Sequence, residues 1–173
     1  MRLMSLKINS LRDVYTQQLR DLYNAETQLV DALPKMAEAA TSADLRAAFE
    51  QHLQQTKGHA SRLERIFDTL GERPGGETCE AMKGLIAEGK DYIDAEGDPD
   101  SRDAGLIGAA QKVEHYEIAA YGTLRALARR LGETTSAELL QQTLDEEGET
   151  DKKLTSIAER SVNVEAARHG TAR

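Results

Sequence analysis

Tryptophan is absent from this sequence of 173 residues, and aromatic residues make up only 4% of it. Strands depend on aromatic and β-branched side chains, so a chain with few aromatics and much Ala, Leu, Glu and Gln favours helices. Long apolar runs are also lacking, since none approaches the roughly 20 residues of a membrane-spanning helix. Residues 1–9 are too short and too mixed in polarity for a signal peptide. We therefore expect a helical protein that does not use a membrane as a partner.

Cysteine and clustered basic residues are scarce as well. Cys79 is the single cysteine, so no intrachain disulfide can form. This fits a reducing compartment, and we expect a cytoplasmic protein. Asp and Glu outnumber Lys and Arg by 30 to 22, which gives a formal net charge of −8. Nucleic-acid binding without sequence preference needs clustered positive charge, so nucleic acid is not an expected partner either.

The sequence contains four long segments and one shorter segment with helical periodicity. These segments cover residues 11–40, 43–70, 79–95, 101–131 and 135–160. Serines suited to N-cap positions stand at the start of three of them, and glycines end two: Ser10, Ser42, Ser136, Gly71 and Gly132. Pro34 lies inside the first segment, where it predicts a kink instead of an end, because the apolar stripe continues beyond it.

The lengths of the connections predict how the segments pack. Turns of a few residues join the first segment to the second and the last two to each other, so each pair forms an antiparallel hairpin. A long connection, residues 71–100, separates the hairpins. The pattern predicts an all-α, ferritin-like four-helix bundle of two antiparallel hairpins, with a long crossover that carries a short fifth helix. We assign residues 1–160 to this single domain and residues 161–173, which lack a periodic pattern, to a flexible C-terminal tail.

Each long helix carries a core-facing stripe that is apolar at both ends and polar in the middle. Because the polar positions lie near the helix midpoints, antiparallel packing at about 1.5 Å per residue brings them to a similar height. The polar positions of the four stripes include Glu26, His52, His59, Glu114, Glu117 and Glu147. The sequence therefore predicts one polar cluster in the middle of the bundle, between two apolar layers.

Four carboxylates in such a core need compensation, because an unpaired buried ion costs several kcal/mol. Protonation, pairing with bases, trapped water or metal ions would each provide it. No Lys or Arg occupies these stripe positions. Two divalent cations would offset four carboxylates and use the histidines as neutral ligands. Oxygen-rich ligands with one or two imidazoles suit Fe or Mn better than structural zinc, so we expect two metal ions, Fe first and Mn as the alternative.

Other interpretations stay open for single residues. Any one stripe Glu could extend to solvent, and His52 and His59 could be ordinary core histidines with satisfied hydrogen bonds. In the acidic run at residues 145–147, we expect Asp145 and Glu146 on the solvated face and Glu147 facing the core.

Several residues beside the stripes are candidates for supporting roles. Thr56 and Thr150 are expected to bond to the backbone of their own helices. Tyr23 and Tyr121 either pack in the core or donate a hydrogen bond to a ligand carboxylate. Asp151 lies one step beside its stripe and is a further candidate ligand.

Several sequence motifs resemble the YciF/YciE family of ferritin-like proteins (DUF892). They are LRDLYNAETQL at residues 19–29, VEHYEI at 113–118 and LDEE at 144–147, and the resemblance extends over residues 11–159. The resemblance implies a dimeric helical bundle with a ferritin-like metal site and a link to bacterial stress responses. A homodimer is also the commonest symmetric assembly.

The sequence departs from the usual di-iron pattern, which places Glu-x-x-His on two helices. Thr56 stands where the Glu before His59 is expected, and Thr150 stands where the His after Glu147 is expected. Other polar residues nearby would have to compensate for the two missing ligands.

Two hypotheses follow. In the first, the protein is a ferroxidase-like di-iron oxidoreductase that oxidises Fe(II) or reduces O₂ or H₂O₂. In the second, it is a non-catalytic structural or binding protein of the stress response, with a vestigial or absent metal site. A DNA-protecting relative of ferritin is disfavoured by the acidic charge.

Overall fold

The computed structural model describes residues 6–170, of which most are helical and none is in a strand. The helices are α1 (Leu11–Ala39), α2 (Ala43–Leu70), α3 (Glu80–Ile93), α4 (Pro99–Arg130), α5 (Thr134–Ile157) and α6 (Asn163–Gly170), with a π-helical segment at Ala158–Val162 between α5 and α6. Helices α1 and α2 form one hairpin, α4 and α5 form the other, and α3 packs against α1 and α4 in the crossover. The predicted architecture is confirmed.

The ends of α1 and α2 follow from local signals that the sequence shows. Ser10 accepts a hydrogen bond from the backbone of Asp13, and the Asp13 carboxylate accepts from the backbone of Ser10, which completes a capping box. Ser42 caps α2, and Gly71 ends that helix with φ 67°, a left-handed conformation that glycine adopts without steric cost. Pro34 lies inside a continuous α1, as predicted.

Helix α4 begins two residues earlier than predicted. Residues 97–100 were expected to belong to the connection before this helix, but the Asp98 side chain accepts a hydrogen bond from the backbone N of Ser101 at 2.7 Å. Pro99 occupies the first turn, where its missing N–H has no helical partner to lose. Asp98 and Pro99 therefore end the connection and start the helix.

Beyond residue 160, where the sequence shows no periodic pattern, the chain is helical as far as Gly170. The helical path continues through the π-helical segment into α6, which contacts α4. Ala158 and Val162 are both buried at helical spacing, so the segment has an apolar face of its own. Residues 171–173 lie outside the described chain, and the division of the chain at residue 160 stays a prediction.

The buried carboxylate of Asp103 connects the two hairpins at the turn between α1 and α2. Asp103 of α4 is completely buried and accepts hydrogen bonds from the backbone N of Thr41 at 3.0 Å and of Ser42 at 2.6 Å. Its neighbour Arg102 donates to the carbonyl of Ala39 at 2.9 Å. These bonds satisfy backbone groups at the end of α1 and the start of α2 that no helix can satisfy.

Among the described residues, no helix combines the length and the apolar character that a bilayer span requires.

Candidate metal centre

The polar cluster lies where the stripes predict it, at mid-bundle. Helix α1 contributes one member, α2 two, α4 two and α5 one. None of the six is more than 3% exposed: Glu26, His52, His59, Glu114, Glu117 and Glu147. Apolar layers of leucine, isoleucine and aromatic side chains close the core on either side. The structure therefore brings six metal-ligating side chains together in a site shielded from solvent.

These side chains form two groups that share one carboxylate. His52, Glu114, Glu117 and Glu147 offer ligand atoms that all lie within 4.8 Å of one another, and so do Glu26, His59 and Glu147. We call the first group subsite A and the second subsite B. Glu147 belongs to both, so its carboxylate could serve both groups if each held an ion.

In subsite B, His59 faces two carboxylates through one ring nitrogen. Its Nδ1 lies 2.9 Å from Glu147 Oε1 and 3.6 Å from Glu26 Oε1. The Tyr121 hydroxyl donates a short hydrogen bond to the same Glu26 oxygen. Tyr121 therefore supports a carboxylate of the site, one of the two roles expected for it.

In subsite A, His52 faces the carboxylates through Nε2, whereas His59 uses Nδ1. The Nε2 of His52 lies 3.2 Å from Glu114 Oε1 and 3.9 Å from Glu147 Oε2. Its Nδ1 lies 3.4 Å from the hydroxyl of Thr150, which donates at 3.1 Å to the carbonyl of Glu146 in its own helix. The expected backbone bond of Thr150 is thus confirmed.

The site contains a concentration of polar atoms that no protein group satisfies. Neither oxygen of Glu117 has a hydrogen-bond partner among the described residues, and the same holds for one oxygen of Glu26 and one of Glu114. The oxygens of Glu147 also lack a partner in hydrogen-bond geometry, although His59 Nδ1 lies 2.9 Å from Oε1. The inward nitrogens of the two histidines also lack hydrogen-bond geometry, although carboxylates approach them closely. Buried polar groups are normally paired, so this set of oxygen and imidazole donors fits hard divalent cations.

Burial and mutual repulsion raise the pKa of all four core carboxyl groups. Burial is the main cause, and it raises the pKa of Glu114 to about 8. Burial raises the pKa of Glu117 well above its ordinary range, and the charges of Glu147, Glu26 and Glu114 add to this effect. The pKa values of Glu26 and Glu147 are also raised, mainly by burial and against the favourable effect of His59.

The two histidines respond in opposite directions. Burial lowers the pKa of His52. Burial acts in the same direction on His59, but its contacts with Glu147 and Glu26 outweigh it and raise the pKa of His59 to about 10. Without metal, His59 is therefore a cation that neutralises part of the negative charge of the cluster. Metal ligation would require it to lose that proton.

Glu146 is a residue that the sequence analysis misplaced. It was expected on the solvated face, but its Oε2 lies 2.9 Å from His59 Nε2, the outward nitrogen of the ring. Arg62 donates to both oxygens of Glu146, at 2.8 and 2.7 Å. Burial raises the pKa of Glu146, yet the bonds from Arg62 and His59 lower it overall. Asp145, by contrast, is exposed as predicted.

The remaining candidates lie outside the cluster. The Asp151 carboxylate accepts from Gln111 at 3.1 Å and faces His115 at 3.4 Å, and it joins neither subsite. The Tyr23 hydroxyl donates to Glu64 at 2.8 Å, so of the two roles considered for Tyr23, the bond to a candidate ligand is not formed. The hydroxyl of Thr56 donates to the carbonyl of His52 at 2.9 Å, the backbone bond expected for it.

Comparison with known proteins identifies the family. The family described as "Domain of unknown function (DUF892)" matches residues 10–167. The chain belongs to this family. It is 43% identical over 162 residues, 93% of this chain and 98% of the relative, to Protein YciF of Escherichia coli K12. The resemblance seen in the sequence motifs is therefore confirmed.

Two solved structures share the fold of this chain. The crystal structure of the E. coli stress protein YciF matches with a TM-score of 0.87 and 44% identity, covering 90% of this chain and 99% of the other. YcfI from Rhodopseudomonas palustris matches with a TM-score of 0.86 and 40% identity over the same shares.

A more distant match supports the fold class alone. A two-domain protein from Anabaena variabilis, which contains a ferritin-like domain, matches with a TM-score of 0.59 and 17% identity over 90% of this chain and 38% of the other. The fold of the DUF892 chain is therefore ferritin-like.

Proposed function

We propose that this protein binds two divalent metal ions at mid-bundle, iron first and manganese as the alternative. One observation carries the proposal: two groups of buried donors share Glu147, and neither oxygen of Glu117 has a hydrogen-bond partner among the described residues. Four carboxylates and two imidazoles match the ligand preference of iron and manganese. The metal ligands would be Glu26, His52, His59, Glu114, Glu117 and Glu147.

The geometry supports two other donors in place of the two missing motif residues. Thr56 bonds to its own helix, so it offers no ligand, but His52 lies one turn away and faces the same cavity as Glu114. His52 and Glu114 together would therefore replace the ligands that Thr56 and Thr150 do not supply. The proposed site would then have the usual donor types, but its two ions would have different sets of ligands.

The chemistry of such a centre suggests a redox role. Two Fe(II) ions held there would give up one electron each, enough to reduce one H₂O₂ to two water molecules with two protons. The apolar layers around the cluster would exclude bulk water, and Tyr121 would hold Glu26 in place. The described residues thus suit a ferroxidase-like reaction with a small oxidant such as O₂ or H₂O₂. The stress-protein description of the E. coli relative supports a role in a stress response. We further propose that the protein acts in the cytoplasm and as a homodimer.

Metal analysis of the purified protein tests the proposal. Protein loaded anaerobically with Fe(II) and desalted is expected to retain two ions per chain. Glu117→Ala, which removes two partnerless oxygens, is expected to retain fewer ions. Glu149→Ala on the exposed face of α5 is the control and is expected to retain both. A parent protein that retains no iron or manganese would overturn the proposal.

A second candidate function is supported by the altered motif. Because Thr56 and Thr150 stand at ligand positions, the protein could act as a non-catalytic structural or binding protein of the stress response. In that case the melting temperature would be the same with and without a chelator. Under the metal proposal, removal of the ions lowers the melting temperature, since ligands that bind only the folded state stabilise it.

A further inference from the structure

We infer that Glu146, held by Arg62, is the positioning residue that fixes His59 as an Nδ1 metal ligand, so that subsite B alone depends on an ion pair at the bundle surface. The inference rests on the proposed metal function and deepens it. Neither residue belongs to the two donor groups, and both lie at the edge of the core, with side-chain exposures of 27% for Glu146 and 16% for Arg62.

The two histidines use opposite ends of their rings. His59 points Nδ1 toward Glu147 and Nε2 outward to Glu146, whereas His52 points Nε2 toward Glu114 and Nδ1 outward to Thr150. An imidazole that ligates a metal through one nitrogen donates a hydrogen bond from the other, and the outward partner fixes the tautomer and the ring plane. The two rings must therefore bind metal through different nitrogens.

The outward partners differ in strength as well as in position. His59 meets a carboxylate at 2.9 Å, and His52 meets a neutral hydroxyl at 3.4 Å. Charge-assisted hydrogen bonds are shorter and roughly twice as strong as neutral ones. The ring of His59 is thus the more firmly held of the two.

Arg62 fixes the Glu146 carboxylate in turn. Its two terminal nitrogens donate to the two oxygens of Glu146, and one of them also donates to the hydroxyl of Thr143 at 3.0 Å. A bidentate pair restricts both the distance and the plane of the carboxylate, which a single lysine charge does not do. The contacts Thr143–Arg62–Glu146–His59 therefore connect the buried hydroxyl of Thr143 in α5 to subsite B.

Affinity for Mn²⁺ provides the first test, measured by the electron paramagnetic resonance signal of the free ion. Glu146→Ala is expected to weaken one of two binding steps by about 10–100-fold, the range for loss of such a partner. Glu146→Gln, which retains an acceptor but not the charge, is expected to show a smaller loss, and Arg62→Lys likewise. Glu149→Gln removes an equal charge from the exposed face of the same helix and is expected to leave both steps unchanged.

Nitrogen NMR of Zn²⁺-loaded protein with labelled histidine provides a readout that a general loss of stability would not move. The parent protein is expected to show metal at Nδ1 of His59 and at Nε2 of His52. Glu146→Ala is expected to lose the His59 pattern and keep that of His52. Equal weakening of both steps, unchanged steps, or Nε2 ligation by His59 in the parent would overturn the positioning role. A parent that binds neither ion would instead overturn the metal proposal itself, and the inference with it.

Discussion

At the scale of single residues, the protons of the core would determine how tightly the proposed metal ions bind. With a pKa of about 8 for Glu114 and about 10 for His59, both groups hold protons at neutral pH in the metal-free protein. Ligation requires their release, so the affinity for Mn²⁺ is expected to rise with pH, by about tenfold per pH unit for each proton released. Calorimetry in buffers of different ionisation enthalpy measures the number of protons directly.

A variant of one ligand tests the source of this pH dependence. Glu114→Gln has no proton to release, so the slope of log affinity against pH is expected to fall by up to one between about pH 6 and 8, where Glu114 is still protonated. The overall affinity is expected to fall as well, because an amide is a weaker ligand than a carboxylate. An unchanged slope would show that Glu114 is not a source of released protons.

Cys79 shows how burial controls reactivity at a single residue. Its side chain is 1% exposed, burial raises the pKa of the thiol, and its sulfur lies 3.0 Å from the hydroxyl of Tyr116. Because the thiolate is the reactive form, we expect a disulfide reagent to label Cys79 only when the protein unfolds. Labelling rates in increasing denaturant measure this, and rapid labelling under native conditions would show that the start of α3 opens independently of the bundle.

At the scale of helices, Asp103 is expected to be a major anchor of the α1–α2 turn. Asp103→Ala leaves the backbone N–H groups of Thr41 and Ser42 without their acceptor inside the protein, so we expect a loss of about 2–3 kcal/mol of unfolding free energy. Asp103→Asn keeps one acceptor oxygen and is expected to lose less. Denaturant unfolding measures both, and Asp44→Ala at the exposed start of α2 is the control. Equal small losses of unfolding free energy in all three variants would show that Asp103 does not anchor the α1–α2 turn.

The close packing of α3 on α4 supports a second prediction at this scale. A Cβ atom added to Gly105 would lie 2.2 Å from the ring of Tyr92, so Gly105→Ala is expected to displace that ring and to cost about 1–3 kcal/mol. In a Tyr92→Ala background the obstacle is gone, and the same change is expected to stabilise α4 by up to about 1 kcal/mol through helix propensity. A double-mutant cycle measured by thermal unfolding tests the reversal of sign.

The limits of sequence-based prediction follow from the range over which each signal acts. Helix α2 was predicted to its end residues because Ser42 and Gly71 are local signals. The cluster was predicted because each helix carries its own polar break in an apolar stripe. The role of Glu146 was missed, because its partner Arg62 lies 84 residues away and its position falls one step beside the stripe. Only the packing of α2 against α5 brings the pair together.

At the scale of the whole molecule, the buried cluster makes the stability of the metal-free protein fall as pH rises. Glu114 has a pKa raised from 4.5 to about 8 and His59 from 6.5 to about 10, so the folded state binds protons more tightly than the unfolded state. The stability they contribute is complete below the unfolded pKa and is lost as pH passes the folded pKa. The pKa of His52 is lowered, so its contribution to stability has the opposite pH dependence. That contribution is present above the ordinary value of 6.5 and is lost as pH falls below it.

Bound metal is expected to reverse this trend. The ions replace the protons as the positive charge of the cluster, and rising pH then favours the ligated form. We expect the melting temperature of the metal-free protein to fall between about pH 6.5 and 9.5, and that of the Mn²⁺-loaded protein to stay level or rise. Thermal unfolding with chelator and with Mn²⁺ measures both curves. Parallel curves would indicate that the cluster stays protonated or solvated and holds no ion, which would favour the non-catalytic function.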